Sequence, residues 1–256
     1  MLICIDAGHY LGTPGKRCLK SIDPLETREW TLNGRVADKV QALLKNYICT
    51  TMRVDDVTGG REITLYERVA AANRAKAELY LSIHHNAGIG GGSGGGIVVY
   101  VCPGADQTSR QVQQAIYQHT VAKTGLQGNR SNPTPEGDLY VLRETAMPAV
   151  LGEFGFMDST TDTPIILTEA YAQGIAEGIV EALVERYQLR EVETVTYEQW
   201  KAFMTRYQQE QAQLAPSAWA EMGLAQAKAR GITDGTRPQS KATRQEVALM
   251  INAAIK

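Results

Sequence analysis

Apolar residues open the chain. Leu2 to Ile5 form a short apolar run that leads directly into Asp6-Ala7-Gly8-His9. A run too short for a buried helix and closed by a glycine turn predicts a buried strand, here with a histidine at its C-terminal end. Leu79 to Ile83 repeats the arrangement and ends in His84 and His85, and Ala149 to Leu151 runs into Gly152 and Glu153. Between these runs the spacing turns helical. Leu32, Val36, Val40, Leu43 and Tyr47 recur every three or four residues over 29 to 47, with Glu29 in the first turn. Leu65, Val69, Ala72 and Ala75 mark a second helix, and Val112, Ala115, Ile116 and Thr120 a third. Tyr171, Ile175, Ile179 and Ala182 mark a long helix ending near Tyr187. Ile97 to Val101 and Leu139 to Leu142 read as further strands. Strands alternating with helices predict an α/β fold with a mostly parallel sheet covered on both faces.

Two stretches break the alternation. Gly88 to Gly96, interrupted by Ile89 and Ser93, predicts an irregular, mobile loop. After Leu189 the glycines vanish until Gly223. Residues 190 to 214 read as a helical connector, with a possible capping box at Thr196 and Gln199 and a stripe of Trp200, Phe203, Met204 and Tyr207. That stripe reads as packing. Residues 215 to 256 predict a small all-α unit. A helix opens at Pro216 and stops at Gly231, a turn falls at Asp234-Gly235, and a second helix is capped by Thr243 and Glu246. About forty residues make a thin core, so this unit is expected to lean on a neighbour or a second copy. The preceding residues, 1 to 189, carry the α/β domain.

With 256 residues and 43% hydrophobic content, the chain can bury a substantial core. A net charge near −2 and the lack of a basic stripe argue against a nucleic-acid partner. No run approaches the length of a membrane span. The four cysteines show no C-x-x-C spacing, so they are expected to be reduced and without function.

Chemistry concentrates at the strand ends. In open α/β sheets that edge is where ligands bind. His9, Glu29 and His84 can supply the three His or carboxylate ligands that a catalytic zinc site needs. Adjacent strand residues point to opposite faces, so only one of His84 and His85 is expected to reach such a metal. Each residue alone has a plainer role, Glu29 as a first-turn carboxylate and Glu153 as a cap or salt-bridge partner.

Four segments carry a family resemblance: Cys4-Ile-Asp-Ala-Gly-His9, Glu29-Trp-Thr-Leu-Asn33, Ala77 to Ala87, and Leu142 to Phe156. In order, and across roughly residues 1 to 187, they resemble the zinc-dependent N-acetylmuramoyl-L-alanine amidases of the amidase 3 type. Arg61, Leu65, Arg68 and Asn73 stand where that family's helix before the second histidine strand carries similar residues. The resemblance implies a twisted six-stranded sheet, zinc held by His9, Glu29 and His84, and Glu153 as the catalytic carboxylate. Asn86 and Arg143 are candidates to bind substrate. The chain departs from the family at His85, where a small residue is usual, and at Gly152, where a bulkier apolar one is common. The implied reaction is hydrolysis of the amide joining N-acetylmuramic acid to L-alanine in bacterial peptidoglycan. The rivals are a zinc peptidase acting on the stem peptide and an inactive wall-anchoring protein.

Gly231 to Pro238 followed by Ala242 to Ala248 resembles a single S-layer-homology unit, which implies binding to a secondary cell-wall polymer; a homodimer is the other reading. No basic or apolar leader precedes the first strand. The chain is therefore expected to be made in the cytoplasm and to act at the wall after release, in the manner of a phage endolysin.

Overall fold

The computed structural model describes residues 1–193 and 195–255. They divide into two compact units, Met1–Val192 and Glu193–Lys256. The first is an α/β unit with strands β1 (Leu2–Ala7), β2 (Thr50–Arg53), β3 (Leu79–Asn86), β4 (Ile97–Tyr100) and β5 (Ala149–Phe156). Its helices are α1 (Glu29–Leu44), α2 (Leu65–Arg74), α3 (Gln107–Thr124), α4 (Tyr140–Arg143), α5 (Thr163–Ile166) and α6 (Glu169–Tyr187). The sheet order is β2-β1-β3-β5-β4. All pairings are parallel except β4 with β5, which is antiparallel.

The sheet has five strands, not six. The apolar run Leu139 to Leu142 forms no strand. Leu139 instead caps the one-turn helix α4, whose Val141 and Leu142 are buried. A four-residue apolar run suits a buried helical turn as well as a strand, and periodicity cannot separate them. Strand β2, read from Thr50-Thr51-Met52-Arg53, escapes the hydrophobic pattern because it is a half-exposed edge.

The two faces of the sheet carry different cores. Ile3, Ile5, Leu79, Leu81, Ile83, Val99 and Phe154 face the larger one, with Leu32, Val36 and Val40 of α1 and Ile175 and Ile179 of α6. Cys4, Tyr80 and Leu151 face the smaller one, with Val69 and Ala72 of α2. Each fully buried large side chain contributes about 1.5–3 kcal/mol. All four cysteines are unpaired, and burial pushes the thiols of Cys4 and Cys18 up to about 12.

The chain leaves β1 toward β2 on one side and returns to β3 on the other. A topological switch point therefore lies between β1 and β3, and the crevice beyond their C-terminal ends is the natural place for a ligand. One polar cluster lies within the apolar smaller core beneath this crevice. Asp6 of β1 is buried with Arg68 of α2. The Arg68 guanidinium donates to Asp6, to the Ala7 carbonyl at 2.7 Å and to the His9 carbonyl at 2.7 Å. Asp6 also accepts from Tyr80 at 3.0 Å and Ser82 at 2.7 Å. Burial works against the Asp6 charge, but Arg68, the nearby His84 imidazole and the Ser82 hydroxyl hold its carboxyl below the ordinary range.

The glycine tract is irregular, as its composition implies, but it is tied down. The amides of Gly88, Ile89 and Gly90 all donate to the Asp158 carboxylate at 2.7–2.8 Å. Gly96 donates to Asp162 at 2.7 Å and Gly94 to Thr161 at 3.1 Å.

Residues 190–192 belong with the first unit, through Ile48 to Arg190 and Val192 to Asn46 backbone bonds. The second unit holds α7 (Tyr197–Gln213), α8 (Glu221–Ala229) and α9 (Arg244–Ala254). The capping boxes at Thr196/Gln199 and Thr243/Glu246 both form. Pro216 does not open α8, which begins only at Glu221, after a turn at Ser217 to Ala220. These three helices bury no side chain among the described residues, and Trp200, Phe203 and Tyr207 are exposed.

Replacing Arg68 with Met strands a buried charge and should cost about 3–5 kcal/mol of stability at neutral pH, read by urea denaturation. In wild type the Asp6 carboxyl is held low, so its contribution is complete above about pH 3.9 and fades below it. In the variant the deficit should shrink as pH falls, because a protonated Asp6 needs no cation.

Candidate metal centre

His9, Glu29 and His84 converge at the β1/β3 crevice, with their ligating atoms all within 4.8 Å of one another. Each arrives by a different route. His9 follows the Gly8 turn, with φ of 66° in the left-handed region, where a non-glycine residue needs support. The support comes from two sides: Arg68 holds the His9 carbonyl, and Asn33 donates to the Gly8 carbonyl at 3.0 Å. Glu29 opens α1 and is fully buried. His84 lies on β3, directly opposite Glu153 of β5.

The His9 and His84 rings meet edge to face, with centroids 5.0 Å apart. The Glu29 carboxylate lies between them. Its Oε1 is 3.1 Å from His84 Nδ1, and its Oε2 is 3.4 Å from His9 Nε2 and 3.5 Å from Lys16 Nζ. Burial opposes the Glu29 charge, yet hydrogen bonds and the charges of the two imidazoles hold its carboxyl far below the ordinary range. Burial also opposes the His84 cation, but Glu29 raises that imidazole overall.

His85 takes a different role. It points to the opposite face, where its Nδ1 pairs with Asn33 Oδ1 at 2.8 Å, and burial drives it down to about 3. Its imidazole is therefore neutral and orients Asn33, which in turn braces Glu29 and the Gly8 turn. The sequence held a signal for Asn33: it lies four residues after Glu29, on the same helical face. Lys16 gave no such signal, because a loop carries it to the site.

Glu153 is partly buried, and its Oε2 is hidden from solvent without a hydrogen-bond partner. Burial pushes its carboxyl up to about 7; His84 and Lys16 draw it down and Glu29 raises it further. Its neighbour Gly152 is explained by packing: a Cβ there would lie 2.3 Å from the Phe154 ring, which fills that space. Asn86, two residues beyond His84, accepts from the Ala87 amide at 2.8 Å through Oδ1, which leaves its Nδ2 to donate. Arg143 stands apart from this group. It lies on α4, where Asp138 and Glu144 engage its guanidinium.

The donors suit a dication. Two imidazoles and one carboxylate form a nitrogen and oxygen set typical of catalytic zinc. Glu29 Oε2 is buried, and its neighbours are the His9 and Lys16 nitrogens at 3.4 and 3.5 Å, contacts long enough to leave it able to take a metal. The site is also cleared of bulk, since a Cβ on Gly8 would lie 2.0 Å from the His84 ring.

An α/β sheet with a His-Glu-His cluster at its switch point, faced by a carboxylate on the next strand, is an arrangement that could hold a metal ion beside a proton-carrying group. Comparison with known proteins gives the family. A family described as N-acetylmuramoyl-L-alanine amidase matches residues 3–185. The chain is 30% identical over 231 residues to the N-acetylmuramoyl-L-alanine amidase CwlM of Bacillus licheniformis, covering 90% of this chain and 82% of that one. It is 28% identical over 191 residues to an endolysin of Bacillus phage SPP1, covering 74% of this chain and 67% of that one. Among solved structures it is similar to the catalytic domain of the amidase CwlV of Bacillus (Paenibacillus) polymyxa, with a TM-score of 0.64 and 25% identity. That alignment covers 74% of this chain and 99% of that one. An N-acetylmuramoyl-L-alanine amidase of Clostridium difficile 630 aligns with a TM-score of 0.63 and 27% identity, covering 73% of this chain and 96% of that one. The chain belongs to the N-acetylmuramoyl-L-alanine amidase family.

Gly8→Ala should push the His84 ring out of the cluster. Zinc affinity, read by competition with a fluorescent chelator, should fall by at least the roughly 10–100-fold seen when a ligand's support is lost. Binding at wild-type strength would show that the ring need not sit where the structure puts it.

Proposed function

We propose that the chain hydrolyses the amide between N-acetylmuramic acid and L-alanine in peptidoglycan, with zinc held by His9, Glu29 and His84 and Glu153 carrying the proton. One observation carries this reading beyond family membership: three ligands of the right type converge at the switch point beside an unpartnered, half-buried carboxylate. Zinc bound there would polarise the amide carbonyl and make water more acidic.

The protein's own residues do the rest. Glu29 is ionised by its two imidazole neighbours and supplies the negative charge of the site. Arg68 and Asn33 fix the turn that presents His9, so the cluster is organised before substrate arrives. Glu153 has a carboxyl poised near neutrality, which suits a group that both accepts and returns a proton. Its Oε2 takes a proton from the attacking water and passes it to the departing nitrogen of L-alanine. Asn86 Nδ2 offers a donor to the substrate at the strand end.

Residues 215 to 256, beyond the helical connector, we read as an S-layer-homology-like helix pair that docks on cell-wall polymer or on a second copy. The exposure of Trp219, Met222, Leu249, Ile251 and Ile255 supports a docking role. No helix of the described residues is long and apolar enough to cross a membrane.

Glu153→Gln should retain zinc and lose about 10²–10⁴-fold in turnover. Mass spectrometry of digested peptidoglycan should find free L-alanine amines with intact lactyl carboxylates, abolished by a chelator. Cleavage within the stem peptide would favour the peptidase reading, and near-native turnover of the Gln variant would remove Glu153 from the mechanism.

A further inference from the structure

The loop between α3 and α4 carries one cation that the reaction as described leaves unused. Arg130 is exposed, and among the described residues it forms no ion pair. Its guanidinium lies over the Phe156 ring, 4.8 Å from the centroid. Phe156 is fully buried at the end of β5, so the cation rests on a fixed platform.

The loop beneath Arg130 is fixed as well. Its neighbour Asn129 accepts from the Gly95 amide at 3.1 Å. Gly128 packs so closely on the glycine tract that a Cβ there would lie 2.1 Å from the Gly95 carbonyl oxygen. The glycine tract is itself held by Asp158 and Asp162. Arg130 is thus a charged side chain held in place with no charged partner of its own.

Its position relates it to the reacting bond. Phe156 follows Glu153 on β5 across a β-bulge: Glu153 pairs with His84 and Phe156 with Asn86, so the two lie about two strand residues, roughly 7 Å, apart. Tyr100 of β4 shares the face of Glu153, since Val98 pairs with Glu153 and Tyr100 lies two residues on. The Tyr100 hydroxyl is raised by burial and by Glu153, and Arg130 draws it back, so all three groups share one field. A substrate chain running from Glu153 past Phe156 would bring a group two or three extended residues from the scissile amide under Arg130.

The substrate has two unlike sides. The lactyl carboxyl of the sugar is consumed in the amide, so the glycan side is uncharged. The stem peptide carries carboxylates. An arginine with free donors recognises a carboxylate by charge-assisted, often bidentate, hydrogen bonds.

We propose that Arg130 is a specificity-determining residue that binds a stem-peptide carboxylate two or three residues from the scissile amide, and so directs the enzyme to stems with free rather than amidated carboxyls. The proposal rests on the amidase reading above. Its side of the platform sets the direction in which the substrate lies: peptide toward the end of β5, glycan away from it.

The test uses the full chain and two soluble muropeptides that differ only in having stem carboxylates free or amidated. Wild type should show a KM about tenfold lower for the free-acid stem, the scale of one charge-assisted hydrogen bond at a partly solvated site. Arg130→Met should erase that preference through KM, with kcat on the amidated stem unchanged. Arg130→Lys should keep part of it, having the charge without the fork. Equal KM values for wild type on the two stems, or a Met variant that keeps the preference, would overturn the proposal, as would a loss of kcat on both stems alike. If wild type frees no L-alanine amine from either stem or from whole peptidoglycan, the amidase reading fails and takes this proposal with it. If it frees that amine without regard to stem charge, only the proposal fails.

Discussion

The buried pair of Asp6 and Arg68 is the constraint on which the site depends. A carboxylate in a central strand is costly unless it is paired and fully hydrogen-bonded. Here it is both, through Arg68, Tyr80 and Ser82. The same guanidinium reaches past Asp6 to the carbonyls of Ala7 and His9. It therefore links the packing of α2 to the backbone of the turn that carries His9. The left-handed backbone at His9 is a strained choice for a residue with a Cβ, and such strain persists only where surrounding structure imposes it.

From that turn outward the site is organised by faces and by charge. His84 and His85 are adjacent yet serve opposite sides of the sheet. One joins Glu29 and His9, while the other stays neutral and orients Asn33. Two carboxylates lie close together with opposite tendencies. Glu29 is kept ionised by its imidazoles, and Glu153 is pushed toward neutrality by burial and by Glu29 itself. Paired acidic groups driven apart in this way can divide the labour of a site, one suited to holding charge and the other to exchanging a proton.

Much of this was legible in the residues. The three strand-end segments around His9, His84 and Glu153 declare themselves through short apolar runs, and the four long helices of the α/β unit through their spacing. What escaped was set by tertiary context. Strand β2 has too little apolar character to announce itself, because it forms an edge. Val141 and Leu142 bury the same apolar surface in a helical turn as they would in a strand. The glycine tract reads as mobile from composition, yet Asp158 and Asp162, some seventy residues away in sequence, tie its amides down. Lys16 reaches Glu29 only through the path of its loop, which no local pattern encodes.

The central claim is that His9, Glu29 and His84 jointly hold one zinc ion. X-ray absorption at the zinc edge of the purified, metal-loaded chain tests it most directly, because it counts donor types at the metal. Two imidazole nitrogens are expected, with oxygen completing the shell and no sulfur. A third imidazole, a sulfur donor or an all-oxygen shell would contradict it.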